Sequence, residues 1–88
     1  MKVYVKLFAA LTKNVPETLL ARYPQGIRAG TPLKVELPKG STLADLVTNL
    51  DLPPEEIKVL FVNGRARKAD HRLEPDDEVG IFPPVGGG

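Results

Sequence analysis

The 88-residue chain is long enough for one domain with one modest core, and 12 basic against 11 acidic residues leave a net charge of +1. Such near neutrality argues against a dedicated nucleic-acid-binding protein, which usually carries a clear basic excess. The sequence has no cysteine, one histidine and no apolar run of membrane-spanning length, so we expect a cytoplasmic protein without disulfides, metal site or membrane contact.

The first half of the chain predicts two strands. In residues 2–8 three aliphatic side chains alternate with polar ones, which puts Phe8 on the opposite side of the strand from the core. Residues 34–38 alternate in the same way, with Val35 and Leu37 inward. Between these strands, residues 12–32 are rich in proline and glycine and predict a short helix over 16–23 and otherwise a loop.

The clearest helix begins after residue 42. Thr42 is a good N-cap and Asp45 follows at the spacing of a capping box. Apolar residues recur at the i, i+3, i+4, i+7 positions from Leu43, which gives the helix one apolar face. The Pro53-Pro54 pair ends it.

The second half predicts three strands. Residues 58–62 form the most apolar one, and the Asn63-Gly64 pair that follows is a type I′ turn signal leading into a short return strand near 65–68. Residues 78–82 alternate again, and this last strand is stopped by Pro83-Pro84.

One main helix cannot cover both faces of a sheet. The order of elements therefore predicts an α+β fold, in which a mixed sheet of four or five strands carries the helix across one face. If the first and last strands lie side by side at the centre, the topology is a β-grasp, or ubiquitin-like, fold. The domain is expected over residues 1–82, with a flexible tail over 83–88.

The uncovered face of this sheet is a candidate interface. Period-two counting places three large apolar side chains on it, and apolar surface of this kind usually marks a partner site. The alternative is that residues 12–32 fold over that face and build a second small core. The residues are Phe8, Leu60 and Phe82.

The tail carries the chemical signal. Pro83 and Pro84 favour an extended exit from the last strand, and Val85 is followed by the glycines 86–88. Without side chains, Gly86, Gly87 and Gly88 could thread a narrow tunnel and present the last carboxylate to an activating enzyme. The alternative is a frayed terminus with no function.

The sequence resembles the MoaD/ThiS family of ubiquitin-like sulfur carriers. The matching stretches are Lys-Leu-Phe-Ala at 6–9, Gly-Ser-Thr-Leu-Ala-Asp-Leu at 40–46, Val-Asn-Gly at 62–64 and, as the strongest, residues 73–88, which end in Phe-Pro-Pro-Val-Gly-Gly-Gly. The last of these is closer to MoaD than to ThiS. The resemblance covers most of the chain except 12–32, a connection that is longer than is typical of the family.

The resemblance implies a carrier cycle. A MoeB/ThiF-like partner would use ATP to adenylate the Gly88 carboxylate, which sulfur would then convert to a thiocarboxylate for molybdopterin, thiamin or related cofactor biosynthesis. Further implied partners are a MoaE-like large subunit of molybdopterin synthase or a thiazole synthase. The chain has no Gly-x-x-x-x-Gly-Lys phosphate loop and no cysteine, so ATP chemistry and sulfur must come from elsewhere, and we expect a carried substrate rather than an enzyme.

Two other functions remain open. The chain could be a protein modifier joined through Gly88 to lysines, or a β-grasp interaction module with an inert tail.

A run of basic residues precedes a run of acidic residues in the last third of the chain. The two runs indicate either a solvated hairpin and turn or an electrostatic docking patch for a partner. The basic run comprises Arg65, Arg67, Lys68, His71 and Arg72.

Overall fold

The computed structural model describes residues 1–12 and 15–84 of the chain. Five strands and two helices follow one another in the order expected from the sequence. They are β1 (Lys2–Leu7), α1 (Glu17–Leu20), β2 (Leu33–Glu36), α2 (Leu43–Asn49), β3 (Val59–Val62), β4 (Arg65–Arg67) and β5 (Glu78–Phe82), with short 3₁₀ turns at Ala9–Thr12 and Pro54–Glu56.

The sheet has the strand order β2-β1-β5-β3-β4. The first and last strands lie side by side at its centre and run parallel, with Val5 opposite Val79, whereas the other neighbours are antiparallel. This is the mixed five-stranded β-grasp arrangement, and it confirms the predicted fold class.

The core lies between α2 and the inward face of the sheet. The inward positions of β1 and β5 are fully buried, because both strands are central and their aliphatic side chains meet Leu43 and Leu46 of the helix in one cluster. Burial of such side chains is the main favourable term in folding, at roughly 25 cal/mol per Å² of apolar surface.

Helix α2 begins with the predicted capping box. The Thr42 hydroxyl accepts a hydrogen bond from the Asp45 amide at 3.2 Å, and the Thr42 amide donates to the Asp45 carboxylate at 2.9 Å. Two backbone donors at the helix start are thereby satisfied. The turn between β3 and β4 also has the predicted geometry, since Asn63 and Gly64 have φ angles of 51° and 85°.

Residues 15–27 pack against the main core and extend the layer on the helix side of the sheet. Leu19 of α1 is buried in the main core. The Thr18 hydroxyl donates to the Asp51 carboxylate at 2.9 Å, and the Arg22 guanidinium donates to the Asn49 carbonyl at 3.0 Å, so α1 is tied to the end of α2. Residues 15–27 therefore do not build a second small core over the uncovered face, whereas Gly30 lies beside the Phe8 ring, which is 3.8 Å from a Cβ atom built on the glycine.

The same segment protects an edge of the sheet. The Tyr23 hydroxyl donates to the Lys34 carbonyl of edge strand β2 at 2.8 Å. An edge carbonyl with a partner is less available to a strand of another chain.

None of the helices in residues 1–12 and 15–84 has the length and the apolar character needed to cross a membrane.

Candidate functional site

Three half-buried aromatic rings lie together on the sheet face that α2 leaves uncovered. The rings of Phe8 and Phe82 are stacked, with centroids 4.3 Å apart and planes within 3° of parallel. Phe61 meets Phe82 edge-on, with a centroid separation of 5.4 Å and an interplanar angle of 76°. We call Phe8, Phe61 and Phe82 the aromatic patch.

The sequence placed Leu60 in this patch, and that placement is wrong. Leu60 is 9% exposed and belongs to the core. The pairing of β3 with β5 explains the difference: Leu60 lies opposite the buried Ile81, and Phe61 lies opposite Gly80. Because directly opposite residues share a face of the sheet, Leu60 points toward the helix side. Phe61, and not Leu60, therefore lies on the uncovered face beside Phe82. The positions predicted for Phe8 and Phe82 agree with the structure.

Gly80 makes room for the patch. A Cβ atom built on Gly80 would lie 3.4 Å from ring atoms of both Phe8 and Phe82. The missing side chain therefore lets the rings settle over the backbone of the central strand. A glycine inside a strand is a known sign of close approach, so the sequence did carry a signal for this residue.

Polar groups border the patch on one side. Lys6 and Glu78 approach to 3.9 Å, and both side chains are exposed enough for this ion pair to contribute little stability. With the patch and Asn63 they line one shallow groove on the uncovered face.

A buried carboxylate fixes the start of β5 next to that groove. Asp77 is 9% exposed; one of its oxygens accepts from the Asn63 side-chain amide at 2.9 Å and the other from the Glu74 backbone amide at 2.8 Å. The side-chain oxygen of Asn63, Oδ1, in turn accepts from the Glu78 backbone amide at 2.9 Å. This network holds the β3–β4 turn against β5, and nothing in the spacing of the sequence pointed to it.

The chain leaves the sheet beside the patch. The Phe82 carbonyl accepts a hydrogen bond from the Lys58 amide at 2.8 Å, so β5 stays hydrogen-bonded to its neighbouring strand as far as its last residue. Pro83 is half-buried and Pro84 is exposed. Val85, Gly86, Gly87 and Gly88 lie outside the described residues, and their proposed roles remain predictions.

The described residues do not form a metal centre. No group of three or more histidine, aspartate and glutamate side chains within them could hold a metal ion. His71 is half-buried in the loop after β4, where its backbone amide donates to the Lys68 carbonyl at 3.0 Å.

Comparison with solved structures identifies several similar small proteins. A Pyrococcus furiosus protein with the provisional name molybdopterin converting factor, subunit 1, is 29% identical over 97% of this chain and 99% of its own, with a TM-score of 0.66. Small archaeal modifier protein 1 of H. volcanii is 22% identical over 96% and 98%, with a TM-score of 0.62. The Haloferax volcanii HVO 2177 protein is 19% identical over 100% and 87%, with a TM-score of 0.69.

The two Haloferax proteins are too distant in sequence to show more than the shared fold. No curated protein matches the chain. The model of the ThiS family matches residues 21–88, well over half of the chain and including the whole glycine-rich tail. This match over more than half of the chain, on a sheet with the β-grasp strand order, shows that the chain belongs to the ThiS family of small ubiquitin-like proteins.

Proposed function

We propose that this protein is a sulfur carrier whose reacting group is the carboxylate of Gly88. The carboxylate attacks the α-phosphorus of ATP on a MoeB/ThiF-like partner, which releases pyrophosphate and leaves an acyl-adenylate. A sulfur nucleophile from outside the chain then displaces AMP and gives the thiocarboxylate. The product donates its sulfur in molybdopterin, thiamin or related cofactor biosynthesis.

The observation that carries this proposal is the position of the aromatic patch at the exit of the tail. Phe82 is both a member of the patch and the last residue of β5. An extended chain covers at most about 3.5 Å per residue, so Gly88 can reach no farther than about 20 Å from Phe82. A partner that binds the patch therefore has the Gly88 carboxylate within about 20 Å of the bound Phe82. This distance allows the carboxylate to enter an active site of the same partner.

The patch also has the properties of a docking site. Aromatic anchors in the centre of an interface often contribute about 2 kcal/mol or more to binding. The stacking of Phe8 on Phe82 holds two of the three rings in place before a partner arrives, so little freedom is lost on binding. We propose that the activating enzyme and the sulfur acceptor bind this patch in turn.

For the sulfur acceptor, the similarity to a molybdopterin converting factor subunit favours a MoaE-like large subunit over a thiazole synthase. In that assembly the chain would act as the small subunit and supply sulfur rather than catalytic side chains. ATP would be held by the activating enzyme alone, since the chain has no phosphate-binding loop.

A second candidate function is protein modification through Gly88. It is favoured by the likeness in fold to small archaeal modifier protein 1. Both functions need the same activated carboxylate and differ only in the attacking group, which is sulfur in one case and a lysine amine in the other. Lysine-linked conjugates in an extract of the native host would support the modifier.

The test is ATP–pyrophosphate exchange with the MoeB/ThiF-like enzyme of the same host. Reacting groups must meet within about 1 Å of the productive position, and one residue shifts the carboxylate by up to about 3.5 Å. Deletion of Gly88 should therefore abolish exchange, and Gly87→Val should block it by filling the tunnel. Gly86→Ala, farther from the carboxylate, is the matched control and should retain exchange.

Two results would decide against the proposal. If the Gly88 deletion exchanged pyrophosphate as fast as the full chain, only the interaction module with an inert tail would remain. If the intact mass of the protein from its native host never showed one oxygen replaced by sulfur while the cofactor was being made, the carrier function would fail.

A further inference from the structure

A second groove lies on the helix side of the sheet, away from the aromatic patch. It runs between α2 and the hairpin of β3 and β4. Its floor is aliphatic: Val47 and Leu60 are each 9% exposed, and Ile57 is half-buried against the core. The proposed function makes no use of this groove.

The rim of the groove is positively charged. Lys58, Arg67 and Lys68 line it, all three are exposed, and no acidic residue lines it. Among the described residues, the ion pair that forms is the one between Lys6 and Glu78, so none of these three cations is paired with a carboxylate. An apolar floor with an unmatched cationic rim is complementary to an apolar side chain flanked by carboxylates.

The neighbouring sheet edge adds backbone groups to the site. In the two-residue hairpin Arg65 is paired with Val62 and Arg67 with Leu60. Residues next to such a turn exchange hydrogen bonds, and the pattern alternates along the pair. The N–H and C=O groups of Ala66 therefore point away from β3, toward any strand that approaches β4 from outside.

We propose that this groove, which we call the basic groove, binds an extended acidic segment of a partner protein. The segment lies along the β4 edge, hydrogen-bonds to Ala66, and places a bulky aliphatic side chain over Val47 and Ile57. Its aspartates or glutamates pair with Arg67 and Lys68. Strand addition of this kind takes affinity from main-chain hydrogen bonds and specificity from side-chain pockets.

The same features disfavour other occupants. A second copy of this chain would bring β4 against β4, with Arg65 and Arg67 of each copy in mutual repulsion. Single-stranded nucleic acid is bound through aromatic side chains on which bases stack, and the residues lining the basic groove include none. An extended acidic peptide with an apolar side chain is complementary to all three parts of the site. Its apolar side chain contacts the floor, its carboxylates pair with the basic rim, and its backbone hydrogen-bonds to the β4 edge.

This partner could bind at the same time as one on the aromatic patch, because the two surfaces lie on opposite faces of the sheet. Binding in the basic groove does not require Gly88 to be activated. Its test is therefore independent of the carrier function.

The experiment uses the full chain and a fluorescein-labelled peptide with a central Ile-Leu pair flanked by aspartates. Fluorescence anisotropy should show saturable binding that weakens as salt is added. Arg67→Glu with Lys68→Glu should weaken binding by about tenfold or more. The matched control, Lys34→Glu with Lys39→Glu, makes the same change in charge at exposed sites away from the groove and should bind as the native chain does.

Peptide and NMR controls locate the site. Replacing the aspartates by lysines, or the Ile-Leu pair by serines, should abolish binding. The amide resonance of Ala66 and the methyl resonances of Ile57 should shift on titration, and the ring resonances of Phe8 should not.

The proposal is overturned if the peptide shows no saturable binding, if the lysine peptide binds equally well, or if the resonance changes map to the aromatic patch. It is also overturned if the Arg67→Glu, Lys68→Glu variant binds within twofold of the native chain. Preferential binding of an oligothymidylate at the same residues would make the groove a nucleic-acid site, and dimerisation of the native chain that shifts the Ala66 amide resonance would make it a self-association site.

Discussion

Phe8 and Phe82 stack face to face, with ring centroids 4.3 Å apart, although 73 residues of sequence separate them. The contact joins the end of β1 to the end of β5, where the tail departs. Aromatic pairs of this kind contribute about 0.5–1.5 kcal/mol beyond the area that they bury. The stack thereby fixes the end of β5 relative to the end of β1.

Adjacent residues of β3 should respond to truncation in different ways. Leu60→Ala removes a core side chain and should lower the free energy of unfolding by about 2–5 kcal/mol. Phe61→Ala should cost less stability but weaken binding of the activating enzyme by about 2 kcal/mol. Chemical denaturation and calorimetric titration separate the two effects. A larger affinity loss for Leu60→Ala, in variants that are still folded, would argue against the patch as the docking site.

Leu60 and Phe61 lie on the faces of the sheet opposite to those predicted from the sequence. The difference shows when the alternation of polar and apolar residues identifies the buried side of a strand and when it does not. In β1, lysines and a tyrosine alternate with aliphatic residues, so the buried side is evident from the sequence. Residues 59–62 of β3 are all apolar, and such a run has no phase of its own. The phase is set by the pairing of Phe61 with Gly80 of β5, and this is a tertiary contact that no local pattern reveals.

Position 80 should tolerate one methyl group but not a branched side chain. The Cβ of alanine would lie 3.4 Å from the rings of Phe8 and Phe82, which is the near limit of ordinary contact, so Gly80→Ala should change stability by less than about 1 kcal/mol. Gly80→Val would push the rings apart and should cost about 1–3 kcal/mol. Thermal unfolding measures both changes, and near-ultraviolet circular dichroism reports the ring environment. Equal effects of alanine and valine would show that the rings yield freely.

The two aspartates before β5 should differ sharply. Asp77→Ala leaves the Asn63 side-chain amide and the Glu74 amide without their acceptor, and hydrogen bonds to charged groups contribute about 1.5–3 kcal/mol each. We expect a loss of at least about 2 kcal/mol in the free energy of unfolding. Asp76 is exposed with a φ of 68°, so Asp76→Gly should stay within about 0.5 kcal/mol of the native chain. Urea denaturation measures the free energy of unfolding of both variants. If Asp77→Ala left it unchanged, the hydrogen-bond network around Asp77 would contribute no stability.

Tyr23 should make stability depend on alkaline pH. Burial raises the pKa of Tyr23 above its ordinary value of 10.0, and the nearby positive charge of Arg22 opposes this only in part. The unfolded chain then loses the phenolic proton at a lower pH than the folded chain does. The stabilising contribution is therefore complete below about pH 10 and is lost as the pH rises through the raised pKa of the folded state.

Tyr23→Phe tests this directly. At neutral pH the variant should lose about 1 kcal/mol, because the hydrogen bond to the Lys34 carbonyl is gone. Above pH 10 its stability should decline less steeply than that of the native chain. Tyr4→Phe on the uncovered face serves as the control for the removal of a hydroxyl. Parallel pH profiles for the native chain and Tyr23→Phe would contradict the expectation.

Other parts of the site lay beyond sequence reasoning for a different reason. The hairpin turn and the capping box are local motifs, and the residues at 42, 45, 63 and 64 identified both. The contact of Asn63 with Asp77 spans 14 residues and depends on how the hairpin folds against β5. A short helix was expected over 16–23 and is found over Glu17–Leu20, but its attachment to Asp51 and Asn49 comes from tertiary packing.

The central pairing of the first and last strands also orders events during synthesis. β1 is synthesised before the other strands of the sheet, and its parallel neighbour β5 is synthesised after them. Contacts between such distant segments carry a large entropic cost of loop closure and form slowly. The aromatic patch cannot assemble until Phe82 has been synthesised. A partner that recognises the patch therefore binds only chains in which β5 has been synthesised and has paired with β1.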